Sequence, residues 1–174
     1  MKTLYTDRCR LEPLCREHAV GMFSVLCDPL IYEFIPDKPP ASVTLLTERY
    51  ERLQFGRSAD GSQQWLNWII RPSDSGSCIG YIQATVYPKQ TADFAFVLGS
   101  EFWGRGFAYE ASISALQSLF TDYAATSIFA TADKRNARSV ALLTRLGFSV
   151  IVNGLYPHGD VLPSDHAFLL TRNT

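Results

Sequence analysis

Apolar residues recur along the chain with two periodicities, the alternation typical of half-buried strands and the three-to-four-residue spacing typical of amphipathic helices. Segments rich in β-forming residues and bounded by turn residues predict strands at residues 1–14, 65–70, 78–87, 92–98, 127–132, 148–152 and 167–171. Helical spacing predicts helices at residues 17–26, 42–56, 107–120 and 136–146. Two helix boundaries carry their own signals, because Ser42 is a good N-cap and Gly147 follows the last helical turn.

The order of these elements predicts the fold class. An antiparallel meander is followed by two strand–helix units, which predicts an α/β protein with a mixed sheet of six or seven strands and about four helices. The chain shows no internal repeat, low-complexity tract or linker. We therefore expect residues 1–174 to fold as a single domain.

Composition limits the classes of partner. Lys and Arg total 16 against 17 Asp and Glu, a net charge of −1, whereas surfaces that bind nucleic acid or membranes need a clear basic excess. We therefore expect neither nucleic acid nor a membrane as a partner. No segment has the apolar length of a signal peptide or a membrane span, so a cytoplasmic location is expected. The four cysteines lack a C-x-x-C spacing and the three histidines form no zinc signature, so no bound metal is expected.

The segment with the clearest chemical signal is FWGRGFAYEA, residues 102–111, between the strand at 92–98 and the next helix. Gly104 and Gly106 allow positive φ and carry no Cβ, so backbone N–H groups can converge on an anion there. The first N–H groups of a helix lie at the positive end of its dipole, and Arg105 adds a cation. The segment is therefore either a flexible turn or a cradle for phosphate.

Two common phosphate motifs fail at this segment. Gly99 and Gly104 have the spacing of a P-loop, but Arg105 and Gly106 occupy the positions of its Lys and its Ser or Thr. Gly104 and Gly106 also begin a dinucleotide-binding G-x-G-x-x-G, but Tyr109 stands at the third glycine. The acidic ribose ligand expected about twenty residues further on is missing as well. A nucleotide-binding domain is therefore disfavoured.

Two segments together resemble the GCN5-related N-acetyltransferase superfamily, especially its branch of ribosomal-protein N-terminal acetyltransferases. The hexapeptide WGRGFA at 103–108 resembles the acetyl-CoA loop Gln/Arg-x-x-Gly-x-Gly/Ala of that superfamily, with Trp in the first place. NARSVALLTRLGF at 136–148 resembles its second signature, an Asn-x-x-Ser helix that ends in Leu-Gly-Phe. CIGYIQ at 78–83 resembles the strand before the core motif.

The resemblance implies a fold, a cosubstrate and its contacts. In the superfamily the strands equivalent to 92–98 and 127–132 splay apart in a mostly antiparallel sheet and leave a V-shaped cleft for the pantetheine arm of acetyl-CoA. The implied cofactor-binding residues are Phe96, Val97 and Leu98 on the strand, Trp103, Gly104, Arg105, Gly106, Phe107 and Ala108 in the loop, and Asn136 and Ser139 on the later helix. Glu110 has a simpler explanation, the favourable placement of an acid in the first helical turn.

The implied chemistry is direct transfer of acetyl from the thioester to a primary amine in a ternary complex. A backbone N–H on the strand at 92–98 is expected to stabilise the oxyanion. Many members carry a Tyr seven residues after the motif Asn, as the acid for the thiolate, but Leu143 stands there in this chain. The contact to the sulfur is therefore expected from Ser139.

The residue that deprotonates the amine is not fixed by the sequence. The candidates are Asp93, Glu101, Asp160, Asp165, His158 and His166. Within the late loop at 155–166, Asp160 and His158 are the preferred pair, and a chain of water molecules is the alternative.

Several alternatives stay open. The acceptor is either a protein N-terminus or a small-molecule amine such as an antibiotic. IPDKPPAS at 35–42 and the aromatic residues Tyr32, Phe34 and Trp65 either shape the acceptor pocket or pack in the core and loops. The chain is an active transferase or an inactive acyl-CoA-binding sensor, and a monomer or a homodimer.

Overall fold

The computed structural model describes residues 1–152 and 156–172. Four α-helices are α1 (His18–Leu26), α2 (Val43–Leu53), α3 (Phe107–Thr121) and α4 (Ala137–Arg145). The strands are β1 (Leu4–Tyr5), β2 (Cys9–Pro13), β3 (Gln64–Pro72), β4 (Gly80–Tyr87), β5 (Thr91–Leu98), β6 (Ser127–Asp133), β7 (Ser149–Val150) and β8 (Asp165–Thr171). Short 3₁₀ helices lie at Pro29–Glu33, Pro88–Gln90 and Ser100–Phe102.

The strands form one sheet in the order β1-β2-β3-β4-β5-β6-β8-β7. Only the β5–β6 pair is parallel among the described strands, so the expected mixed, mostly antiparallel α/β sheet is confirmed. The sheet has eight strands, one more than the number of segments expected. The extra strand arises because a turn closed by the Thr6 N–H on the Cys9 carbonyl, at 2.8 Å, divides the first segment into β1 and β2.

The parallel pair separates after three positions. Thr91, Ala92 and Asp93 on β5 lie opposite Ser127, Ile128 and Phe129 on β6, whereas β5 continues to Leu98 and β6 to Asp133. Along the rest of its length β6 pairs with β8 instead. Residues 94–98 therefore have no strand partner on the β6 side among the described residues. This is the splayed central pair that the sequence resemblance implies.

Each face of the sheet carries its own apolar core. α3 and α4 cover one face, where Trp68, Ile82, Leu119 and Phe168 are buried. α1 and α2 cover the other face, where Met22, Leu46, Tyr50, Ile69 and Val97 are buried. Fully burying one large apolar side chain contributes about 1.5–3 kcal/mol to the free energy of unfolding, so both cores stabilise the sheet that contains β5 and β6.

The helix boundaries follow local capping chemistry. The Ser42 side chain accepts a hydrogen bond from the Leu45 N–H at 3.2 Å, so Ser42 is the N-cap of α2 as expected. Gly147 follows α4 with a φ of +93°, the left-handed conformation that commonly ends a helix. Among the described residues, no helix combines the length and the hydropathy that a membrane crossing requires.

Candidate active site

The loop between β5 and α3 has the backbone conformation that an anion cradle needs. Gly104 and Gly106 have φ values of +71° and +85°, which side-chain-bearing residues rarely adopt. Gly106 is the N-cap of α3, and the helix begins at Phe107. The first intrahelical bond runs from the Glu110 N–H to the Gly106 carbonyl at 3.1 Å. The N–H groups of the first helical turn before Glu110 therefore have no intrahelical partner and lie at the positive end of the dipole.

A cavity of about 450 Å³ lies between this loop, β5, α4 and the segment at residues 30–35. Nine of the eleven expected cofactor residues line it, namely Phe96, Val97, Leu98, Trp103, Gly104, Gly106, Ala108, Asn136 and Ser139. The other two do not. Phe107 is buried in the core, and the Arg105 guanidinium lies over the rings of Phe102 and Phe107, at 5.8 and 5.2 Å from their centroids.

One wall of the cavity is fixed to the loop by Asp28. Its carboxylate accepts hydrogen bonds from the Leu30 N–H at 3.0 Å and the Ser100 N–H at 2.9 Å. The first bond begins the 3₁₀ helix at Pro29–Glu33, and the second joins that helix to the chain just after β5. The segment at 30–35 is thereby held across the cavity from α4.

Asn136 and Ser139 lie together at the start of α4. The Asn136 Oδ1 atom accepts a hydrogen bond from the Ser139 N–H at 3.1 Å, so Asn136 is the N-cap of the helix. This bond uses the oxygen of the side-chain amide and leaves its NH₂ group for another partner. Leu143, at the position of the family tyrosine, is 2% exposed in the core and does not line the cavity.

Two arginines at the cavity were not expected from the sequence. Arg138 and Arg145 line the cavity and are seven residues apart, so they share one face of α4. The Arg138 guanidinium lies 4.9 Å from the Trp103 ring centroid, and that of Arg145 lies 3.9 Å from the Tyr109 ring centroid. Such cation–π contacts hold the two charges at the cavity lining. The helical spacing of the two arginines is the signal that sequence reasoning could have used.

Glu110 connects the loop to the first hairpin of the sheet. Its Oε1 atom accepts hydrogen bonds from the Thr6 hydroxyl at 2.6 Å and the Arg8 N–H at 2.7 Å, and its Oε2 atom pairs with Arg8 Nε at 2.7 Å. The Arg8 Nη1 group in turn donates to the Arg105 carbonyl at 3.1 Å. Burial raises the pKa of Glu110, but the hydrogen bonds from Thr6 and Arg8 lower it, and the net shift of this pKa is downward. Glu110 is thus a structural anchor of the loop as well as an acid at a helix N-terminus.

The structure places His158 away from the cavity. Its side chain is 7% exposed, with Nδ1 2.8 Å from Asp93 Oδ1 and Nε2 3.0 Å from Thr91 Oγ1. The Tyr87 and Tyr156 hydroxyls donate to the same Asp93 carboxylate, at 2.8 and 2.7 Å. Burial, followed by the Asp93 carboxylate, raises the pKa of both tyrosines. This cluster joins the late loop to the start of β5, at the closed end of the cleft.

None of the six candidates for the base lines the cavity among the described residues, where the lining contains no Asp, Glu or His. Asp160 and Glu101 are exposed, and Asp165 and His166 lie at the start of β8. Leu155, the first residue of the late loop, lies outside the described residues. The structure therefore does not bring Asp160 or His158 together with Ser139.

The aromatic residues considered for the acceptor pocket separate in the structure. Phe34 lines the cofactor cavity. Tyr32 lines a second cavity beside α2 and donates its hydroxyl to the Leu26 carbonyl at 2.9 Å. Trp65 lines neither cavity and donates its indole N–H to Gln63 at 3.1 Å.

Comparison with known proteins gives one consistent family. The family model described as an acetyltransferase (GNAT) domain matches residues 8–149. An uncharacterized N-acetyltransferase, p20, of Bacillus licheniformis is 26% identical over 150 residues, which cover 85% of this chain and 83% of that protein.

Solved structures share the fold at low sequence identity. A GNAT-family acetyltransferase from Bacillus anthracis superposes with a TM-score of 0.77 at 15% identity, over 98% of both chains. RimL, a ribosomal L7/L12 alpha-N-protein acetyltransferase solved in complex with coenzyme A, superposes with a TM-score of 0.80 at 12% identity, over 98% of both chains.

Proposed function

The chain belongs to the GNAT acetyltransferase domain family, and from this premise we propose that it transfers the acetyl group of acetyl-CoA to a primary amine. The observation that carries the proposal is the cavity of about 450 Å³ that nine of the expected cofactor residues line. Its position, at the open side of the splayed β5–β6 pair, is where a long, thin cosubstrate can enter the sheet.

The loop and α3 fit the pyrophosphate of coenzyme A. Two left-handed glycines and an unpaired first helical turn present N–H groups to an anion without an intervening Cβ. Arg138 and Arg145 add two positive charges on the cavity lining. RimL, which shares this fold, was solved with coenzyme A bound, and this supports the same ligand here.

The free edge of β5 fits the pantetheine arm. Backbone N–H and C=O groups of residues 94–98 that point toward β6 need partners, because buried backbone polar groups are almost always hydrogen-bonded. The Leu98 carbonyl already accepts the Trp103 indole N–H at 2.9 Å. The remaining groups of this edge are available to the amides of the arm, between the rings of Phe96 and Trp103.

The chain contributes position and electrostatics to the transfer. Acetyl-CoA supplies a thioester whose carbonyl a neutral amine can attack. A backbone N–H of β5 would stabilise the charge on the carbonyl oxygen, and the Ser139 hydroxyl would donate to the departing sulfur. No cysteine lines the cavity among the described residues, which supports direct attack rather than an acylated protein. No carboxylate or imidazole lines it either, so we assign removal of the amine proton to water at the cavity mouth.

The lack of a carboxylate or an imidazole in the described lining of the cavity also favours a second function. A chain that binds acyl-CoA without turnover would serve as a sensor, and it would keep the cradle while losing catalysis. Calorimetry with acetyl-CoA, ATP and NAD, followed by a thiol-release assay with a panel of amines, separates the possibilities. Selective binding of acetyl-CoA with amine-dependent thiol release supports the transferase. Binding without release from any amine supports the sensor, and the lack of acetyl-CoA binding contradicts both.

A further inference from the structure

Three arginines in α4 or just before it each lie over an aromatic ring that lines the cofactor cavity. Two of these contacts, those of Arg138 and Arg145, are with the β5–α3 loop and with α3. The third is with the opposite wall, because the Arg135 guanidinium lies 5.7 Å from the ring centroid of Phe34 in the segment at residues 30–35. This third contact therefore joins two walls of the cavity beside the start of α4.

Arg135 differs from the other two arginines because a carboxylate holds its guanidinium. Its Nε and Nη2 atoms donate to Asp133 at 3.0 and 2.7 Å, and its backbone N–H donates to the same carboxylate at 2.8 Å. Asp133 is the last residue of β6 and is 7% exposed. Within the part of the chain that the structure describes, Arg138 and Arg145 have no such ion pair. Two parallel bonds fix the orientation of a guanidinium, so Arg135 presents a fixed charge to Phe34.

The chain of contacts from Asp133 through Arg135 to Phe34, here called the cleft bridge, leaves the cavity itself open. Phe34 is half-buried and lines the cavity, whereas Arg135 and Asp133 do not line it. Arg135 therefore supports the ring from outside the space proposed for the cosubstrate. Asp28 holds the start of the same segment through the Leu30 N–H, so the segment is fixed at two points.

The cleft bridge lies at the end of the cavity where the thioester is proposed to bind. Arg135 directly precedes Asn136 and lies four residues before Ser139, whose hydroxyl is proposed to meet the sulfur. Arg145 is the last residue of α4 and contacts Tyr109 in the first turn of α3, beside the proposed pyrophosphate cradle. The nucleotide end and the bridge are thus at opposite ends of α4.

A thioester at this end of the cavity needs protection from water. Attack by water on the carbonyl carbon would form a carbon–oxygen bond and break the carbon–sulfur bond. The sulfur would leave with the bonding electron pair and take up a proton, and acetate and coenzyme A would form with no amine acetylated. An apolar ring over the carbonyl excludes water from that approach. The water proposed to accept the amine proton would lie at the cavity mouth, on the outer side of the ring.

We propose that the Phe34 ring covers the thioester of bound acetyl-CoA, and that Arg135, held by Asp133, is a positioning residue that keeps the ring there. The cleft bridge then favours attack by the amine over attack by water. This inference rests on the proposed acetyl transfer and identifies the residues that limit the wasteful hydrolysis of its cosubstrate.

The test measures thiol release from acetyl-CoA without any amine, which reports hydrolysis directly. We expect Phe34→Ala to raise this rate about tenfold, because the ring is lost. Arg135→Gln should raise it about threefold, on the scale of one exposed cation–π contact. Phe34→Tyr keeps the ring and should behave as the wild type. With the amine of the panel that gives the fastest release, the acetylated amine formed per thiol released should fall in Phe34→Ala and in Arg135→Gln.

Two comparisons separate positioning from a general structural role. If Arg135 acts through the Phe34 ring, Arg135→Gln should add nothing to the hydrolysis rate of Phe34→Ala. Arg49→Gln is the matched control, because this exposed arginine pairs with Asp37 at 3.5 Å on the same connection between α1 and α2 but lies outside the cofactor cavity. It should hydrolyse acetyl-CoA at the wild-type rate. Additive effects of the two substitutions, or an equal rise in Arg49→Gln, would overturn the positioning role.

The outcomes also distinguish this inference from the proposed function. Equal hydrolysis by the wild type, Phe34→Ala and Arg135→Gln, all with wild-type affinity for acetyl-CoA in calorimetry, would overturn the inference and leave the transfer intact. Binding of acetyl-CoA with no amine-dependent release would contradict the transferase, and the hydrolysis rates would still show whether Phe34 covers the thioester. A lower melting temperature in Arg135→Gln with an unchanged hydrolysis rate would make Arg135 a structural residue and overturn the inference.

Discussion

The Glu110 carboxylate and the Arg8 guanidinium form an ion pair at 2.7 Å across 102 positions of the sequence. The pair joins the turn before β2 to the first turn of α3, and the same guanidinium holds the Arg105 carbonyl at 3.1 Å. Arg8 does not line the cavity, so it fixes the backbone between Gly104 and Gly106 without occupying the space proposed for the cosubstrate. The first hairpin of the sheet therefore takes part in shaping the cradle.

Glu110→Gln is expected to weaken this anchor while keeping its shape. At pH 7 the free energy of unfolding should fall by about 0.5–1 kcal/mol, because Arg8 is half exposed and the pair is only partly shielded from water. The pKa of Glu110 is lowered from its ordinary 4.5 in the folded protein, so its charge stabilises the fold above that value. The difference between wild type and variant should therefore shrink as the pH falls below 4.5 and through the lowered pKa of Glu110, and urea unfolding from pH 7 to pH 3 measures it.

A matched control distinguishes the loop anchor from a general surface pair. Asp122→Asn removes the Lys2–Asp122 pair, at 2.9 Å, on the far end of α3. Both variants should lose a little stability, but only Glu110→Gln should raise the KM for acetyl-CoA, by about threefold on the scale of a weak ion pair. Equal KM values for acetyl-CoA in the two variants would show that Glu110 does not support the cradle.

The capping of α4 by the Asn136 side-chain oxygen and the proposed contact of its NH₂ group with acetyl-CoA can be tested separately. Asn136→Ser keeps a good N-cap for α4 but removes the amide NH₂ from the cavity, whereas Asn136→Ala removes both. We expect Asn136→Ala to lose about 1 kcal/mol of stability and Asn136→Ser to lose a few tenths at most. Affinity for acetyl-CoA should fall by a similar factor in both variants, as measured by calorimetry. An affinity of Asn136→Ser for acetyl-CoA equal to that of the wild type would show that Asn136 only caps α4.

The position of His158 predicts how activity depends on pH. Both ring nitrogens of His158 are engaged by Asp93 and Thr91 at the closed end of the cleft. Asp160 is exposed and does not line the cavity. His158→Gln and Asp160→Asn should therefore change the height of the profile of kcat/KM against pH without changing its shape. The acidic limb should instead follow the amine itself, near pH 7.7–8.0 for an α-amine. Profiles of kcat/KM from pH 6 to pH 10 measure this. A loss confined to pH values below 8, rescued at high pH, would assign the base to the late loop.

The parts of the site that the sequence predicts are those governed by local rules. Gly104 and Gly106 indicated positive φ from residue type alone, and Asn136 indicated a helix start. These signals act over one or two turns of chain, so the loop, α3 and α4 could be located without tertiary information. The splay of β5 from β6 followed from family resemblance, because no local pattern encodes where two strands part.

The features that sequence reasoning missed depend on distant pairings. Arg8 reaches Glu110 only through the register of β1 and β2 beside α3, and that register is set by the whole sheet. Asn67 looks like an ordinary polar residue in a strand, but burial leaves its Nδ2 group without a hydrogen-bond partner among the described residues. His158 looked like a catalytic residue in a polar loop, but Asp93 and Tyr87 draw it into a buried cluster.

Gly106 provides the most direct test of the proposed pyrophosphate cradle. Gly106→Val places a β-branched side chain at a φ of +85°, where its Cβ would lie 3.1 Å from Arg8 Nη2. The strained backbone and the displaced Arg8 would distort the loop whose N–H groups are proposed to bind the pyrophosphate. Gly61→Val is the control, because Gly61 has a similar φ of +72° in an exposed turn with no heavy atom within 4 Å of the added Cβ. Both variants should lose about 1–2 kcal/mol of stability from the strained backbone.

The deciding measurement is a calorimetric titration of acetyl-CoA into the wild type and these two folded variants. The proposed cradle predicts a saturable wild-type site, wild-type affinity in Gly61→Val, and at least a tenfold loss of affinity in Gly106→Val, about 1.4 kcal/mol or more of binding free energy. Equal affinity for acetyl-CoA in folded Gly106→Val and in the wild type would contradict it.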